Sequence, residues 1–387
     1  MPEPVIAALG RSPIGRAFKG SLVDWRSDEL AALVVERVLD KLPELDRRSI
    51  DDLHCGCGLP GGEQGFNLGR VVSILARLDV PGTTVTRYCA SSLQTTRMAV
   101  HAIRAGEGDA FLSVGVEMVS RFGNGSSDPP ECRNPRLAPG NPEGYPDIYI
   151  RMGETAENVA AREEVSREEM DRFALRSQER AVAAEDSGFF AQEIVPVPLG
   201  DGRVMTRDDG PRRNTSLEKL AELEPVFREG GSVTAGNSCP LNDGAAAVVV
   251  MSEARARELG ITPLARIVST GLSALEPEYM GLGPIGASRQ ALARAGMTVD
   301  DLDVIEINEA FAAQVIPSAR GIGIDPFDDR LNPHGGAIAL GHPFGMTGAR
   351  ILCTLLNDLR AMDGHLGLET MCVGGGMGMA MIVERLS

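Results

Sequence analysis

Two cysteines, one histidine and one asparagine of this chain lie in short motifs that suit chemistry. Cys89 follows Thr86-Arg87-Tyr88 and precedes the small and polar residues that open a predicted helix. The amino terminus of a helix presents free N–H groups and positive potential, which lower the pKa of a thiol towards the reactive thiolate. This context predicts a nucleophilic Cys89, and a small buried cysteine is the alternative.

A histidine candidate lies in the glycine-rich segment 332–345. Its glycines allow the backbone to approach a ligand closely, and His342 within it is placed to act as a general base. The same segment contains His334, which we interpret as a structural histidine because no other motif pairs it with a role.

An asparagine and a second thiol complete the set. Asn308 follows a predicted buried strand, and α/β enzymes place functional side chains at the carboxyl ends of strands, although a helix cap is the competing interpretation. Cys372 precedes Val373 and three consecutive glycines. Such a glycine tract weakens regular structure, so it favours a role for exposed N–H groups, as in an oxyanion hole.

The elements that must position these residues alternate between strands and helices. Short apolar runs at 110–116, 245–251, 304–307 and 379–383 predict buried strands, and an amphipathic pattern predicts helices at 28–42 and 166–186. This alternation indicates an α/β fold with parallel or mixed sheets. The segment 120–236 differs in composition, since it opens with a loop rich in glycine and proline, and it is predicted to be an inserted excursion.

The two flanks of that excursion resemble each other in outline. Cys89 leads into a predicted helix at 94–105 and a strand at 110–116, while His342 leads into a helix at 347–359 and a strand region at 370–383. The pattern indicates a duplicated half with one reactive residue in each copy.

Composition excludes several classes of function. The formal net charge of -16 opposes binding to nucleic acid or to anionic lipid, and no apolar run is long enough to span a membrane. The amino terminus lacks a signal-peptide pattern, so we expect a cytoplasmic protein. Seven cysteines, an odd number, predict free thiols, and no ligand pairs at zinc spacing accompany them, so we expect no metal.

These motifs, in this order and spacing, resemble those of the thiolase family from Val5 to Leu386. The resemblance also includes the segments 11–15, 152–157, 234–237 and 241–246. It implies the thiolase fold, in which two duplicated βαβαβαββ halves form an α-β-α-β-α layered core with an inserted loop domain. The implied domains are residues 1–119 with 237–265 for the amino-terminal half, 120–236 for the loop domain that covers coenzyme A, and 266–387 for the carboxyl-terminal half.

The resemblance also assigns roles to single residues. It implies Cys89 as nucleophile, His342 as its base, Cys372 as a second acid and base, and Asn308 as an oxyanion-hole residue together with His342. The N–H groups of Cys89 and Gly374 match the other oxyanion hole. The positions that match coenzyme A contacts are Met152, Arg212, Phe227, Ala235, Cys239 and Phe311.

The implied reaction is thiolytic cleavage of 3-ketoacyl-CoA, or the reverse condensation, with acyl-CoA and coenzyme A as substrates and no cofactor. A biosynthetic acetoacetyl-CoA thiolase and a non-catalytic acyl-CoA-binding relative are the alternatives. A decarboxylating ketoacyl synthase is disfavoured because it would lack Cys372. The resemblance further implies fatty-acid or related acyl degradation and a homodimer or homotetramer.

Four positions depart from the pattern that is usual in this family. Ser92 replaces a glycine of the nucleophile motif, and Cys239 and Lys219 stand where serines are common. His334 stands where asparagine is common. The departures concern acyl preference, and the four predicted catalytic residues are intact.

Overall fold

The structure is a computed structural model that describes residues 2–125 and 127–387. Its strands are β1 (Pro4–Arg11), β2 (Gly15–Arg16), β3 (Asp52–Cys57), β4 (Gly82–Val85), β5 (Ala110–Met118), β6 (Val197–Pro198), β7 (Val204–Met205), β8 (Asn242–Ser252), β9 (Ala265–Ala274), β10 (Val304–Ile307), β11 (Leu366–Val373) and β12 (Met377–Arg385). Its α-helices are α1 (Ser27–Leu39), α2 (Leu68–Leu75), α3 (Ser91–Ala105), α4 (Met152–Arg162), α5 (Arg167–Ser187), α6 (Leu217–Ala221), α7 (Glu253–Leu259), α8 (Gly283–Ala295), α9 (Ala312–Ile322), α10 (Ala337–Leu340) and α11 (Thr347–Ala361).

The main strands form two similar groups. In the first, the order is β4-β3-β5-β8-β1, with parallel pairs among β4, β3 and β5 and antiparallel pairs from β5 to β1. In the second, the order is β10-β11-β12-β9, again parallel and then antiparallel. A short antiparallel pairing between β1 and β9 joins the groups edge to edge. The repeated order supports the predicted duplication.

Three apolar cores separate the layers of the molecule. One core packs α1 and α2 on the first strand group, and another packs α8 and α9 on the second. The central core holds α3 and α11 between the two groups. Helices therefore cover both faces of each strand group, which explains why the predicted strands are near-continuous apolar runs.

The predicted strands and the helix at 166–186 agree with the structure, whereas the helix predicted at 28–42 ends earlier, since α1 is Ser27–Leu39. The runs at 110–116, 245–251, 304–307 and 379–383 lie in β5, β8, β10 and β12, and the helix predicted at 166–186 is α5. Ser166 caps α5, because its side chain accepts a hydrogen bond from the N–H of Glu169. The segment between β5 and β8 contains α4 to α6 and the small β6–β7 hairpin.

Both halves bring a reactive residue to the start of a central helix. Cys89 lies just before α3, and His342 lies five residues before α11. Asn308 directly follows β10, and its N–H donates to the carbonyl of Thr370 in β11 (3.0 Å). Cys372 lies near the end of the same strand, so parallel pairing places Asn308 and Cys372 at the same edge. Among the described residues, no helix is long and apolar enough to cross a bilayer.

Candidate active site

Cys89 lies in one turn of 3₁₀-helix, Tyr88–Ala90, immediately before α3. The preceding Tyr88 has a φ of 44°, in the left-handed region that a bulky residue rarely adopts. Ser91 holds this backbone, because its hydroxyl donates to the Tyr88 carbonyl (2.6 Å) and accepts from the Arg87 N–H (2.9 Å). Backbone strain that is held by neighbouring bonds is common where a functional side chain must be aimed.

The predicted lowering of the Cys89 pKa by the helix terminus is wrong for this structure. Burial raises the pKa of Cys89 to about 12, although hydrogen bonds from the N–H groups of Gly374 and of Cys89 itself oppose the rise. The structure shows why, since the thiol lines a cavity with apolar walls, where removal from water outweighs these favourable dipoles. Cys89 is therefore a protonated thiol near neutral pH and needs a base.

Two further thiols lie close to Cys89. Burial raises the pKa of Cys372 well above its ordinary value, and the nearby thiols of Cys89 and Cys239 raise it further. Burial likewise raises the pKa of Cys239, and the nearby thiol of Cys89 raises it further. The structure thus brings together three cysteines that are far apart in the sequence.

The glycine tract after Cys372 forms the turn between β11 and β12. Gly375 and Gly376 have φ values of 80° and 81°, which other residues seldom adopt. The turn directs the N–H of Gly374 at the sulfur of Cys89. The predicted oxyanion donors of Cys89 and Gly374 therefore converge on one point.

The tautomer of His342 follows from its hydrogen bonds. Thr347 Oγ1 donates to the carbonyl of Pro343 (2.8 Å), so its oxygen is free to accept from His342 Nδ1, which lies 2.6 Å away. Nδ1 must then carry the proton, and the lone pair belongs to Nε2. The N–H of His342 donates to Asn242 Oδ1 (3.0 Å), which fixes the backbone of the histidine as well.

Asn308 completes this polar group. Its Nδ2 lies 3.4 Å from His342 Nε2, and both residues are buried. An amide NH₂ group has two hydrogens, so one donor remains after the contact with the histidine. This second donor is available to a substrate oxygen or to a water next to His342.

Burial also keeps His342 neutral. It lowers the pKa of His342 to about 3, and the positive charge of Arg350 lowers it further. A neutral imidazole with its lone pair on Nε2, which the structure approaches only with the long 3.4 Å contact of Asn308 Nδ2, is the form that a general base requires. The ring of His342 contacts Phe344 edge-on, with centroids 5.3 Å apart, and Phe344 lines the cavity that contains Cys89.

Glu117, at the end of β5, ties the two halves together beside this cavity. Its buried carboxylate accepts from the N–H groups of Gly58 (2.6 Å) and Gly345 (2.8 Å) and from the side chain of Gln64 (3.0 Å). Burial raises the pKa of Glu117, whereas these donors lower it. The carboxylate thereby joins the loop after β3 to the loop that follows His342.

Two neighbouring cavities lie at this site. One, of about 310 Å³, is lined by Cys89, Met152 and Gly374 among others. The second, of about 420 Å³, contains four of the six positions predicted to contact coenzyme A, namely Arg212, Phe227, Ala235 and Cys239. The fifth, Phe311, packs edge-on against Phe227 at 5.9 Å. A side chain at Gly153, next to Met152, would place its Cβ 2.1 Å from the Phe227 ring, so the two cavities are neighbours.

The structure shows the contacts of three of the four positions that depart from the family pattern. Ser92 is fully buried and does not line the Cys89 cavity, because its hydroxyl accepts from the Ala349 N–H in α11 (2.9 Å). His334 binds Asp358 through Nδ1 (2.5 Å) and stacks on Phe189 at 3.7 Å, which supports a structural role. Lys219 is exposed and donates to the Asn214 carbonyl (2.7 Å).

Several residues of the site were not identified by the sequence analysis. Thr347, which orients His342, is only five residues away from it, but no role was assigned to it. Glu117, which joins the loops, carries no local signal because its partners Gly58 and Gly345 lie in other loops. Asn242 lies in a motif of the resemblance, but no role was assigned to it. Within the described parts of the chain, no three His, Cys, Asp or Glu side chains are grouped so that they could hold a metal ion.

Comparison with known proteins bears on the identity of the chain. Residues 4–254 match the family model of the thiolase N-terminal domain, and residues 261–385 match that of the thiolase C-terminal domain. A 3-oxoadipyl-CoA/3-oxo-5,6-dehydrosuberyl-CoA thiolase of Escherichia coli (strain K12) is 44% identical over 402 residues, with 100% of each chain covered. A 3-ketoacyl-CoA thiolase of Cronobacter sakazakii is 42% identical, again with 100% of both chains covered.

A solved structure has the same fold. The Bacillus anthracis acetyl-CoA acetyltransferase superposes with a TM-score of 0.90 at 36% identity, covering 100% of this chain and 99% of that one. The predicted fold and enzyme class are confirmed by these matches. The chain belongs to the thiolase family, and it is an acyltransferase that cleaves 3-ketoacyl-CoA with coenzyme A.

Proposed function

We propose that the reaction proceeds through an acyl intermediate on Cys89. His342 Nε2 takes the proton of the Cys89 thiol, and the thiolate attacks the keto carbon of 3-ketoacyl-CoA. The bond between the keto carbon and C2 then breaks, and its electron pair leaves as the enolate of acetyl-CoA. Protonated His342 then returns its proton to the Cys372 thiolate. Coenzyme A finally attacks the acyl group, while His342 takes the proton of the coenzyme A thiol and passes it to the departing Cys89 thiolate. The observation that carries this proposal is that the buried Cys372 thiol and the Gly374 N–H both lie next to Cys89, which lines the cavity.

In this mechanism Cys372 supplies the proton to C2 of the departing enolate. Its raised pKa favours the protonated thiol, which is the form needed for donation in the cleavage direction. The N–H groups of Cys89 and Gly374 stabilise the oxygen of the attacked carbonyl, while Asn308 and protonated His342 stabilise the thioester enolate. These residues supply covalent, proton-transfer and electrostatic catalysis, so we propose that coenzyme A acts as substrate and that no cofactor takes part.

The size of the Cys89 cavity supports degradation of acyl chains longer than acetyl. A volume of about 310 Å³ exceeds what an acetyl group occupies, and Leu59, Ile148 and Phe344 give it apolar walls. This feature disfavours a strictly biosynthetic acetoacetyl-CoA thiolase. Fatty-acid or related acyl degradation is the proposed context, and the cytoplasm is the proposed location because all seven cysteines are free thiols.

Two arginines line the same cavity, and the one without an ion pair supports an acyl chain that ends in a carboxylate. Arg133 is paired with Asp128 (2.8 Å) and lies over the Tyr149 ring at 5.3 Å. Arg151 also lines the cavity, is exposed, and has no ion pair within the described residues. Relatives named 3-oxoadipyl-CoA and beta-ketoadipyl-CoA thiolase from Escherichia coli and Acinetobacter baylyi fit this substrate class.

The test compares 3-oxoadipyl-CoA with 3-oxohexanoyl-CoA, which has the same chain length without the carboxylate. We expect Arg151→Gln to lower kcat/KM for 3-oxoadipyl-CoA on the order of tenfold while 3-oxohexanoyl-CoA is much less affected, because only the former loses a charge-assisted hydrogen bond. Arg136→Gln is the matched control, since Arg136 is exposed and bonded to Glu143 outside the cavity.

Equal losses for both substrates would contradict the carboxylate assignment. If the wild-type protein cleaved neither substrate nor other 3-ketoacyl-CoA esters, the proposed function itself would fall.

We also propose that the chain forms a homodimer through the edge strand β4, or a homotetramer built from two such dimers. β4 ends the strand order on one side and exposes unpaired main-chain groups. Nearby apolar side chains are exposed, including Phe66 at 85% and Ile74 at 58%. A second copy that pairs with β4 would cover these side chains.

Analytical ultracentrifugation at micromolar protein should give at least twice the chain mass of 41.1 kDa. Phe66→Asp with Ile74→Asp should shift the wild-type species towards the monomer, because both substitutions place charges in the covered surface. A wild-type monomer would contradict the dimer, and an unchanged oligomer of the double variant would contradict the β4 surface.

A further inference from the structure

The turn that follows β2 contributes two cations and an aromatic ring to the cavity of about 420 Å³, which contains four of the positions predicted to contact coenzyme A. Arg16, Phe18 and Lys19 line this cavity together with Arg212, which lies far away in the sequence. Neither Arg16 nor Lys19 belongs to a motif of the resemblance, and the sequence analysis assigned them no role.

The cations of this cavity lack acidic partners. Among the described residues the side chains of Arg16, Lys19 and Arg212 form no ion pair, although the chain as a whole carries a net charge of -16. Partial desolvation lowers the pKa of Arg212, and the charge of Arg16 lowers it further, so these two guanidinium groups repel each other. Three converging positive charges without a counterion indicate a site for an anionic ligand.

The turn is strained and firmly held. Phe18 has a φ of 66°, and its ring is 64% exposed. Its N–H donates to Ser120 Oγ (2.7 Å), and Ser120 in turn donates through both its N–H and its hydroxyl to the carboxylate of Asp243. A strained, exposed aromatic residue that is held in place by main-chain and side-chain hydrogen bonds is characteristic of a ligand-contacting position.

A second set of bonds fixes the other side of the turn. Asp209 accepts from the N–H groups of Arg16 (3.2 Å) and Ser21 (2.8 Å), and the N–H of Ala17 donates to the Leu241 carbonyl (2.9 Å). Gly20 closes the turn, since a Cβ there would lie 2.3 Å from the N of Arg16. These main-chain bonds do not use the side chains of Arg16, Phe18 or Lys19, which remain available.

We propose that the 16–19 turn binds the nucleotide end of coenzyme A: Arg16 and Lys19 pair with its phosphate groups, and the ring of Phe18 stacks on its adenine. This inference rests on the proposed function for the identity of the substrate. The phosphates supply the missing negative charge, and an exposed ring beside them suits a nucleobase. The turn therefore discriminates coenzyme A from thioesters that lack the nucleotide.

Kinetics with two acceptor thiols test the proposal. In the double variant Arg16→Gln/Lys19→Gln, KM for coenzyme A in thiolysis should rise on the order of tenfold with kcat nearly unchanged, because binding that is equal in ground and transition states is lost. The increase should shrink at about 0.5 M salt, since these contacts are exposed and screened. With N-acetylcysteamine as acceptor, which lacks the nucleotide, the variant and the wild type should differ by less than about twofold.

Phe18→Ala should raise KM for coenzyme A about fivefold or more through lost stacking, with little dependence on salt. Arg257→Gln is the matched charge control, because Arg257 is an exposed residue of α7 outside the cavity. Unchanged KM values in the double variant, or equal rises for both acceptors, would overturn the proposal.

Calorimetry with adenosine 3′,5′-bisphosphate separates this inference from the proposed function. The measurement requires no turnover, so the wild type should bind the nucleotide and the double variant should bind it on the order of tenfold more weakly. Nucleotide binding without thiolysis would contradict the proposed function alone. Thiolysis with equal nucleotide affinity in both proteins would contradict the role of the turn alone.

Discussion

Cys372→Ser should retain exchange of an acyl group between labelled coenzyme A and acyl-CoA, yet lose carbon–carbon bond cleavage by at least about 10²- to 10⁴-fold. The reason lies in the two half-reactions. Exchange needs only the nucleophile Cys89, its base and the Cys89–Gly374 oxyanion donors. Cleavage also needs a proton for C2 of the acetyl-CoA enolate, and a serine hydroxyl is too weak an acid to supply it.

Cys89→Ser should behave differently, because it removes the thiol that carries the acyl group. Both exchange and cleavage should fall to background, and mass spectrometry should find no acyl adduct on the peptide that contains residue 89. In the wild type the same experiment should locate the acyl group on Cys89. An exposed thiol provides the control, since Cys132→Ser should leave both activities close to those of the wild type.

The division of roles between the two thiols would be wrong if both variants, while folded, lost exchange to the same extent. An acyl adduct found only on Cys372 would contradict the assignment of the nucleophile. The two readouts are independent, because exchange reports on rate and mass spectrometry reports on the site of attachment.

His342→Ala should lower acylation of Cys89 by about 10²- to 10⁴-fold near pH 7. The physical reason is the thiol itself, whose pKa is raised to about 12 by burial, so very little thiolate forms without a base. The residual acylation of the variant should rise with pH through the alkaline range, because hydroxide then generates the thiolate directly. Rapid-quench measurement of the acyl-enzyme across this range would test it.

In the wild type, the acylation rate should not fall when the pH is lowered into the mildly acidic range. The pKa of His342 is lowered to about 3, so the neutral base form exists at all pH values above that and is lost only in strong acid. The acylation rate should therefore show no decrease from histidine protonation between about pH 8 and pH 5. An acid limb centred near the ordinary histidine pKa would contradict the neutral, buried base.

Thr347→Val tests the same base more mildly than His342→Ala, because it removes only the hydrogen bond that orients the imidazole. Valine keeps the shape but cannot accept the proton of Nδ1, so the imidazole loses the bond that places its lone pair on Nε2. Acylation should fall on the order of tenfold, the value of one lost hydrogen bond, without a change in the chain's secondary structure. An acylation rate of His342→Ala within tenfold of the wild type at pH 7 would remove His342 from the mechanism.

Sequence alone was sufficient for much of the fold. Val304–Ile307 was predicted as a buried strand with the bounds that β10 has, because a short apolar run records burial on both faces locally. The helix at 166–186 was predicted from its amphipathic pattern for the same reason, because that pattern is local, and α5 begins directly after Ser166. The motifs around Cys89, His342 and Cys372 were likewise local and led to the family.

Only the tertiary structure decided how these residues are tuned. The sequence predicted a lowered pKa for Cys89 from its helix, whereas burial raises it, because desolvation depends on all surrounding atoms rather than on neighbours in the chain. The backbone of His342 is held by Asn242 of β8, and the cation cluster of the cavity depends on Arg16 meeting Arg212. Reactive residue types are thus a property of the sequence, whereas their protonation and the ligand groups they face are set by distances between segments that only folding brings together.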